Sequence, residues 1–156
     1  MSIRLRPLRP LLAALAFAAS GLAHADLTGI YLSHLAPSDP GYVQGSGDPI
    51  YLVVVDRNGS AIGTVNSSYQ PGNGINVNVW TAASISNTGP GTTTLIDSFG
   101  LCNVSVRVSA DSYSQAPSQI TVQTLSSANK TGVANPLGID CTDLYPTISR
   151  DFKRML

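Results

Sequence analysis

The sequence predicts an all-β domain: an antiparallel β-sandwich of about seven strands, immunoglobulin-like or Greek-key in type, with a small β-barrel as the alternative. Three observations carry that prediction. All nine acidic residues are Asp and the only lysines are Lys130 and Lys153, so two of the best surface helix formers are nearly missing, and Ser, Thr, Asn, Gly and Val stand in their place. From Leu101 to Ala110 the chain alternates strictly, with Cys102, Val104, Val106, Val108 and Ala110 on one face and Asn103, Ser105, Arg107 and Ser109 on the other. Asn58-Gly59 lies between Ile50–Val55 and Ala61–Asn66, and both turn residues tolerate the positive φ of a tight hairpin.

Taken in order, Leu27 to Ser33 reads as a short first strand, followed by a long loop punctuated by Pro37, Pro40, Gly41, Gly45, Gly47 and Pro49. Ile50 to Val55 is apolar at every position, the pattern of a central strand covered on both faces. After the hairpin, Pro71-Gly72-Asn73-Gly74 turns the chain into Ile75–Ile85, where Ile75, Val77 and Val79 share one face and Asn76, Asn78 and Trp80 the other. A turn over 87–91 precedes a strand from Thr92 to Asp97, and Gln119 to Leu125 supplies a further strand. The stretch from Leu137 to Tyr145 reads as irregular or extended. Ile148, Phe152, Met155 and Leu156 recur at helical spacing with Arg150, Lys153 and Arg154 between them, which predicts a short amphipathic helix over 148–156 covering an open end of the core.

The first 25 residues read as a secretory signal: Arg4, Arg6 and Arg9 form a cationic start, Leu11 to Leu22 an apolar stretch, and Ala23-His24-Ala25 a small-x-small cleavage site. That apolar stretch falls short of the ~20 residues that cross a bilayer, and no transmembrane segment follows it. Cutting 25 residues from 156 leaves 131, residues 26–156, enough for a single all-β domain. Three arginines leave with the signal, so six basic side chains face nine acidic ones and the net charge becomes about −3. An acidic chain of this kind excludes nucleic acid as an expected partner. The expected location is exported, periplasmic or extracellular. There Cys102 and Cys141, the only cysteines, are expected to form a disulfide.

Catalytic residue types are scarce. Acid–base and nucleophilic chemistry at neutral pH most often needs His, and processing removes His24 and leaves His34 alone. Neither Gly45-Ser46-Gly47 nor Gly59-Ser60-Ala61-Ile62-Gly63 matches a nucleophile elbow, so no catalytic residue is assigned. Calcium is the metal the donors suit best, but Asp56-Arg57-Asn58-Gly59 matches only the opening of a calcium loop, and Asp140 with Asp143 makes an equally weak cluster. No metal and no cofactor is therefore assigned. The expectation is a non-catalytic binding or structural module that engages a protein or a glycan through loops 34–49 and 86–91, with His34, Asp39, Tyr42 and Asp48 as ligand-contact residues. A periplasmic inhibitor or immunity protein and a fimbrial or surface-assembly subunit are the alternatives, and a secreted hydrolase working through His34 is the weakest.

Overall fold

The computed structural model describes residues 25–37, 49–57, 60–69 and 77–156, with side chains described except at 60, 65–69 and 77–80. Eight strands follow one another: β1 (Gly29–His34), β2 (Pro49–Arg57), β3 (Ser60–Tyr69), β4 (Val77–Ile85), β5 (Gly91–Asp97), β6 (Cys102–Ala110), β7 (Gln119–Asn129) and β8 (Ser149–Arg154). Among the described residues one helix, the four-residue α1 (Cys141–Leu144), precedes β8. Every strand pairs antiparallel with the next, and β8 returns to β1, so the sheet closes into an up-and-down barrel.

All-β character and the Cys102–Cys141 disulfide were legible in the sequence; the sandwich was not correct, and the barrel alternative is what forms. The difference lies in the last nine residues. Residues 148–156 are not a helix, because β8 occupies Ser149–Arg154. The segment satisfies two periods at once. Ile148, Phe152 and Met155 stand at helical spacing, yet Phe152 is buried between half-buried Arg150 and Arg154 while Ser149, Asp151 and Lys153 are exposed, which is period two. An isolated helix this short is marginal in water. As a strand its backbone instead finds partners on both sides, from Ile120↔Phe152 on β7 and from Tyr31↔Arg154 on β1.

The closing seam is short. Two residue pairs join β1 to β8, extended by Met155 N–H donating to the Ile30 carbonyl at 2.8 Å and Ile30 N–H to the Leu156 carbonyl at 3.3 Å. Two arginines then tie the seam: Arg150 Nη1 donates to the His34 carbonyl at 2.9 Å, and Arg154 Nη2 to the Thr28 carbonyl at 2.8 Å. The Arg154 guanidinium also lies 5.9 Å above the Tyr31 ring. On β7, a register shift between Ser105 and Val106 leaves Leu125 as an extra residue, a bulge that turns its side chain outward.

An eight-stranded barrel is just wide enough for its own side chains to fill. Tyr31, Leu52, Val54, Ile85, Leu95, Val104, Val106, Val108, Ile120 and Phe152 point inward and are buried, which follows from the alternation of each strand. A cavity of about 20 Å³ remains among Leu52, Gly63, Ile85, Leu95 and Val108. That is room for one water rather than an organic ligand, and its apolar lining gives a water little to bond. Gly63 is needed beside it, since a Cβ there would meet Ile85 Cδ1 at 2.5 Å and Leu52 Cδ1 at 3.0 Å.

Candidate functional site

In a meander the connections alternate between the two ends of the barrel. The disulfide end carries the β1–β2, β3–β4, β5–β6 and β7–β8 connections; the other end carries residues 25–28, the β2–β3 turn, 86–90 and 111–118. The loops 34–49 and 86–91, expected to act together, therefore leave from opposite ends. His34 sits exposed at the disulfide end of β1. Asp39, Tyr42, Asp48 and Asn58 lie outside the described residues.

The aspartates weighed as weak calcium candidates have structural duties. Asp56 points to the barrel end at which the chain enters, where its carboxylate accepts from Leu27 N–H at 3.3 Å and from Asn87 Nδ2 at 3.3 and 3.5 Å. It thereby binds the entering segment to the buried Asn87 of the β4–β5 turn. Asp140 caps α1 at the opposite end, accepting from Thr142 N–H at 2.8 Å and Thr142 Oγ1 at 2.7 Å. Those two bonds, the hydroxyl first, hold its carboxyl below the usual carboxylate range. Asp143 lies in the first turn of the same helix and is exposed. Among the described residues, no group of three or more His, Cys, Asp or Glu side chains is placed to hold a metal.

The disulfide end is closed by the chain itself. Cys141 is bonded to Cys102 and is fully buried with it. Asn129 spans the segment, donating from Nδ2 to the Ile139 carbonyl at 2.7 Å and accepting Cys141 N–H at 3.2 Å, while Ser127 Oγ donates to the Tyr145 carbonyl at 2.8 Å. The segment Ile139–Tyr145 is thus the lid that the sequence placed at 148–156. Beneath it Asp97 Oδ2 accepts Cys102 N–H at 2.9 Å, but Asp97 Oδ1 and the Tyr145 hydroxyl are buried without a hydrogen-bond partner. Burial first, and the Asp97 carboxylate second, push the Tyr145 phenol well above its ordinary range.

The feature least explained by the fold is on the outside. Tyr51, Val53 and Val55 of β2 and Ile62 of β3 are exposed by 39%, 42%, 45% and 54%. Half-buried Ile30 and Leu32 of β1 pair with Val53 and Tyr51, and Val55 pairs with Ile62, so these six side chains form one apolar wall. The row through Val53 continues over Thr64 to Ala82 and Ile96, the last of which is 70% exposed. Across the barrel the outward residues are Thr92, Thr94, Asn103, Ser105, Arg107 and Gln123, and Asp151 and Lys153 of β8 carry this polar and partly charged wall round to the seam, where Lys153 pairs with Leu32. Ile50–Val55 was expected to be covered on both faces. In the closed barrel only Ile50, Leu52 and Val54 are covered, because a barrel has a single interior.

The contrast between the walls also bears on lipid. A barrel that spans a bilayer is apolar all round and polar within. This one has a packed apolar interior and a polar wall from β5 to β8. Among the described residues, no helix is long and apolar enough to cross a membrane. Comparison of the chain with protein-family models, with curated proteins and with solved structures finds no match.

Proposed function

We propose that the mature chain is an exported, non-catalytic binding module that engages a protein through the outer wall of β1–β3. The single observation carrying this reading is the contiguous apolar wall of Ile30, Leu32, Tyr51, Val53, Val55 and Ile62, whereas exposed apolar residues elsewhere on the strands, such as Leu125, stand singly among polar ones. Contiguous apolar surface of this kind marks interaction sites, whereas scattered apolar residues do not. Export is supported by the cationic start and apolar stretch of residues 1–25, and a disulfide between the only two cysteines is compatible with it.

Among the described residues the interior is packed with apolar side chains, which directs recognition to the exterior, and the wall favours a protein over a glycan, since sugars need fixed polar partners that its centre lacks. Closure of the ring leaves β1 and β8 paired to each other, which weighs against a fimbrial subunit that assembles by adding a strand to an open edge. A hydrolase would have to work through His34, which shares the disulfide end with Asp97 and Asp140, and the bonds of those carboxylates go to Cys102 N–H and to Thr142.

The test is retention on immobilised mature protein, comparing wild type with Val53→Lys and with Ser105→Lys on the polar wall. A protein ligand retained by wild type and by Ser105→Lys but released by Val53→Lys is the expected outcome. Equal retention on all three would place recognition elsewhere.

A further inference from the structure

We infer that the occupant of the β1–β3 wall is a second copy of this chain, the two packing sheet on sheet about a two-fold axis. The inference rests on reading that wall as a recognition surface, and three observations narrow the occupant.

The first is charge. The mature chain carries about −3, so two copies repel unless they meet where acidic groups are absent. Among the described residues the acidic side chains lie at the barrel ends (Asp26, Asp56 at the end of β2, Asp111, Asp140, Asp143), inside it (Asp97) or on β8 (Asp151), and none lies among the outward side chains of β1–β3, where Arg57 at the end of β2 is the one ionised group. A two-fold contact sets each face against itself, and an uncharged face is the kind that suffers no like-charge penalty there.

The second is chemistry. The centre of the wall offers apolar side chains, the Tyr51 hydroxyl and Thr64, while His34, Arg57 and Lys153 stand at its margins, so the central contact sets little orientation for an unlike partner. Aligned packing of two sheets about 10 Å apart asks only that apolar side chains from two faces interdigitate. The third is the run Ile50–Val55 itself, which has high β-propensity and carries no charge and no proline. Such a run half exposed is an aggregation hazard unless it is covered in solution. Six neighbouring side chains over three strands present a few hundred Å² of apolar surface, a suitable core for an interface that buries about 800 Å² per partner.

Sedimentation of the full mature chain from about 1 to 100 μM tests the inference. Wild type is expected to sediment as a dimer within that range, as is Ser105→Lys. Val53→Lys and Ile62→Lys are expected to weaken dimerisation at least ~100-fold, leaving monomers whose melting temperature matches monomeric wild type within about 2 °C. A wild type that stays monomeric at the highest concentration overturns the homodimer by itself, whatever the variants do. A dimer that survives the combined Val53→Lys and Ile62→Lys substitution overturns it also, because the contact then lies off this wall. A monomeric wild type whose retained protein ligand is released by Val53→Lys would refute the second copy while leaving the broader reading standing, so the two failures are distinguishable.

Discussion

Replacing Cys102 and Cys141 together by Ala removes the cross-link between β6 of the barrel and its lid. The bridge spans a sequence separation of 39 residues, for which the chain-entropy relation gives about 4 kcal/mol through the unfolded state. Both sulfurs are buried, so truncation to Ala adds roughly 1–2 kcal/mol of lost packing. Against a net stability of ~5–15 kcal/mol the total of about 5–6 is a large fraction. For a domain of this size that corresponds to a fall in melting temperature of roughly 15–25 °C. The lid retains its bonds from Asn129 and Ser127, so the variant is expected to fold at low temperature. Thermal melts of mature wild type, of reduced wild type and of the double variant separate the two contributions. Reduction reports the entropic part, and the further loss in the variant reports the packing part. Native-state hydrogen exchange should show protection lost first over residues 130–145, before the amides of β2 and β3. A fall of less than about 5 °C, or loss of protection first in β2, would refute the view of Ile139–Tyr145 as a lid held by this bond.

Tyr145→Phe is expected to leave stability at pH 7 unchanged or raise it by about 1 kcal/mol, because the hydroxyl it removes is buried without a partner. The phenol is raised in the folded state, so its contribution is complete below the unfolded value near 10 and is lost as pH climbs beyond it; the variant should flatten that alkaline loss in melts from about pH 9 to 11. Asp56→Ala strips Leu27 N–H and Asn87 of their shared acceptor and should cost about 2–3 kcal/mol by urea unfolding, equally with and without millimolar calcium. A calcium-dependent melting temperature in wild type that vanishes in this variant would instead make Asp56 a calcium ligand. Phe152→Ala should cost about 3–5 kcal/mol, as for a buried aromatic inside the barrel; a loss under 1 kcal/mol would fit the detachable helix instead.

How far the sequence reveals this fold depends on whether local pattern and tertiary partner agree. At β6 they agree: Val104, Val106 and Val108 alternate inward as expected, and Cys102 at the same face meets Cys141. At 148–156 two periods compete, and the choice is made by the unpaired edges of β1 and β7, which no local window contains. That one segment also decides sandwich against barrel, since β8 is the strand that joins the chain's last pairing to its first. The site followed the same logic. Loops 34–49 and 86–91 share a composition of breakers, but strand order places them at opposite ends. Asp56 carries the signature of a turn donor, yet its partners Leu27 and Asn87 lie 29 and 31 residues away. Tyr51, Val53 and Val55 were visible as apolar positions, and the error was to assume that apolar meant covered.

The apolar wall is not something the barrel needs for its own sake. Thr has nearly the shape and β-propensity of Val, and the opposite wall uses it freely, with Thr92, Thr94 and Thr121 facing outward. The same exchange at Val53, Val55 and Ile62 would leave the interior residues Leu52, Val54, Ala61 and Gly63 untouched, because neighbouring positions along a strand face opposite ways. It would also remove the hazard of an exposed β-prone run. Stability of the single barrel therefore gives no reason for these positions to be apolar. Ile139–Tyr145 covers the disulfide end, Asp56 ties the entering segment to Asn87 at the other, and the cavity described among Leu52, Gly63, Ile85, Leu95 and Val108 has room for one water. The proposed contact would account for Tyr51, Val53, Val55 and Ile62, and a face whose centre carries no charge, on a chain of net negative charge, fits its own copy better than it fits a partner chosen by polar contacts.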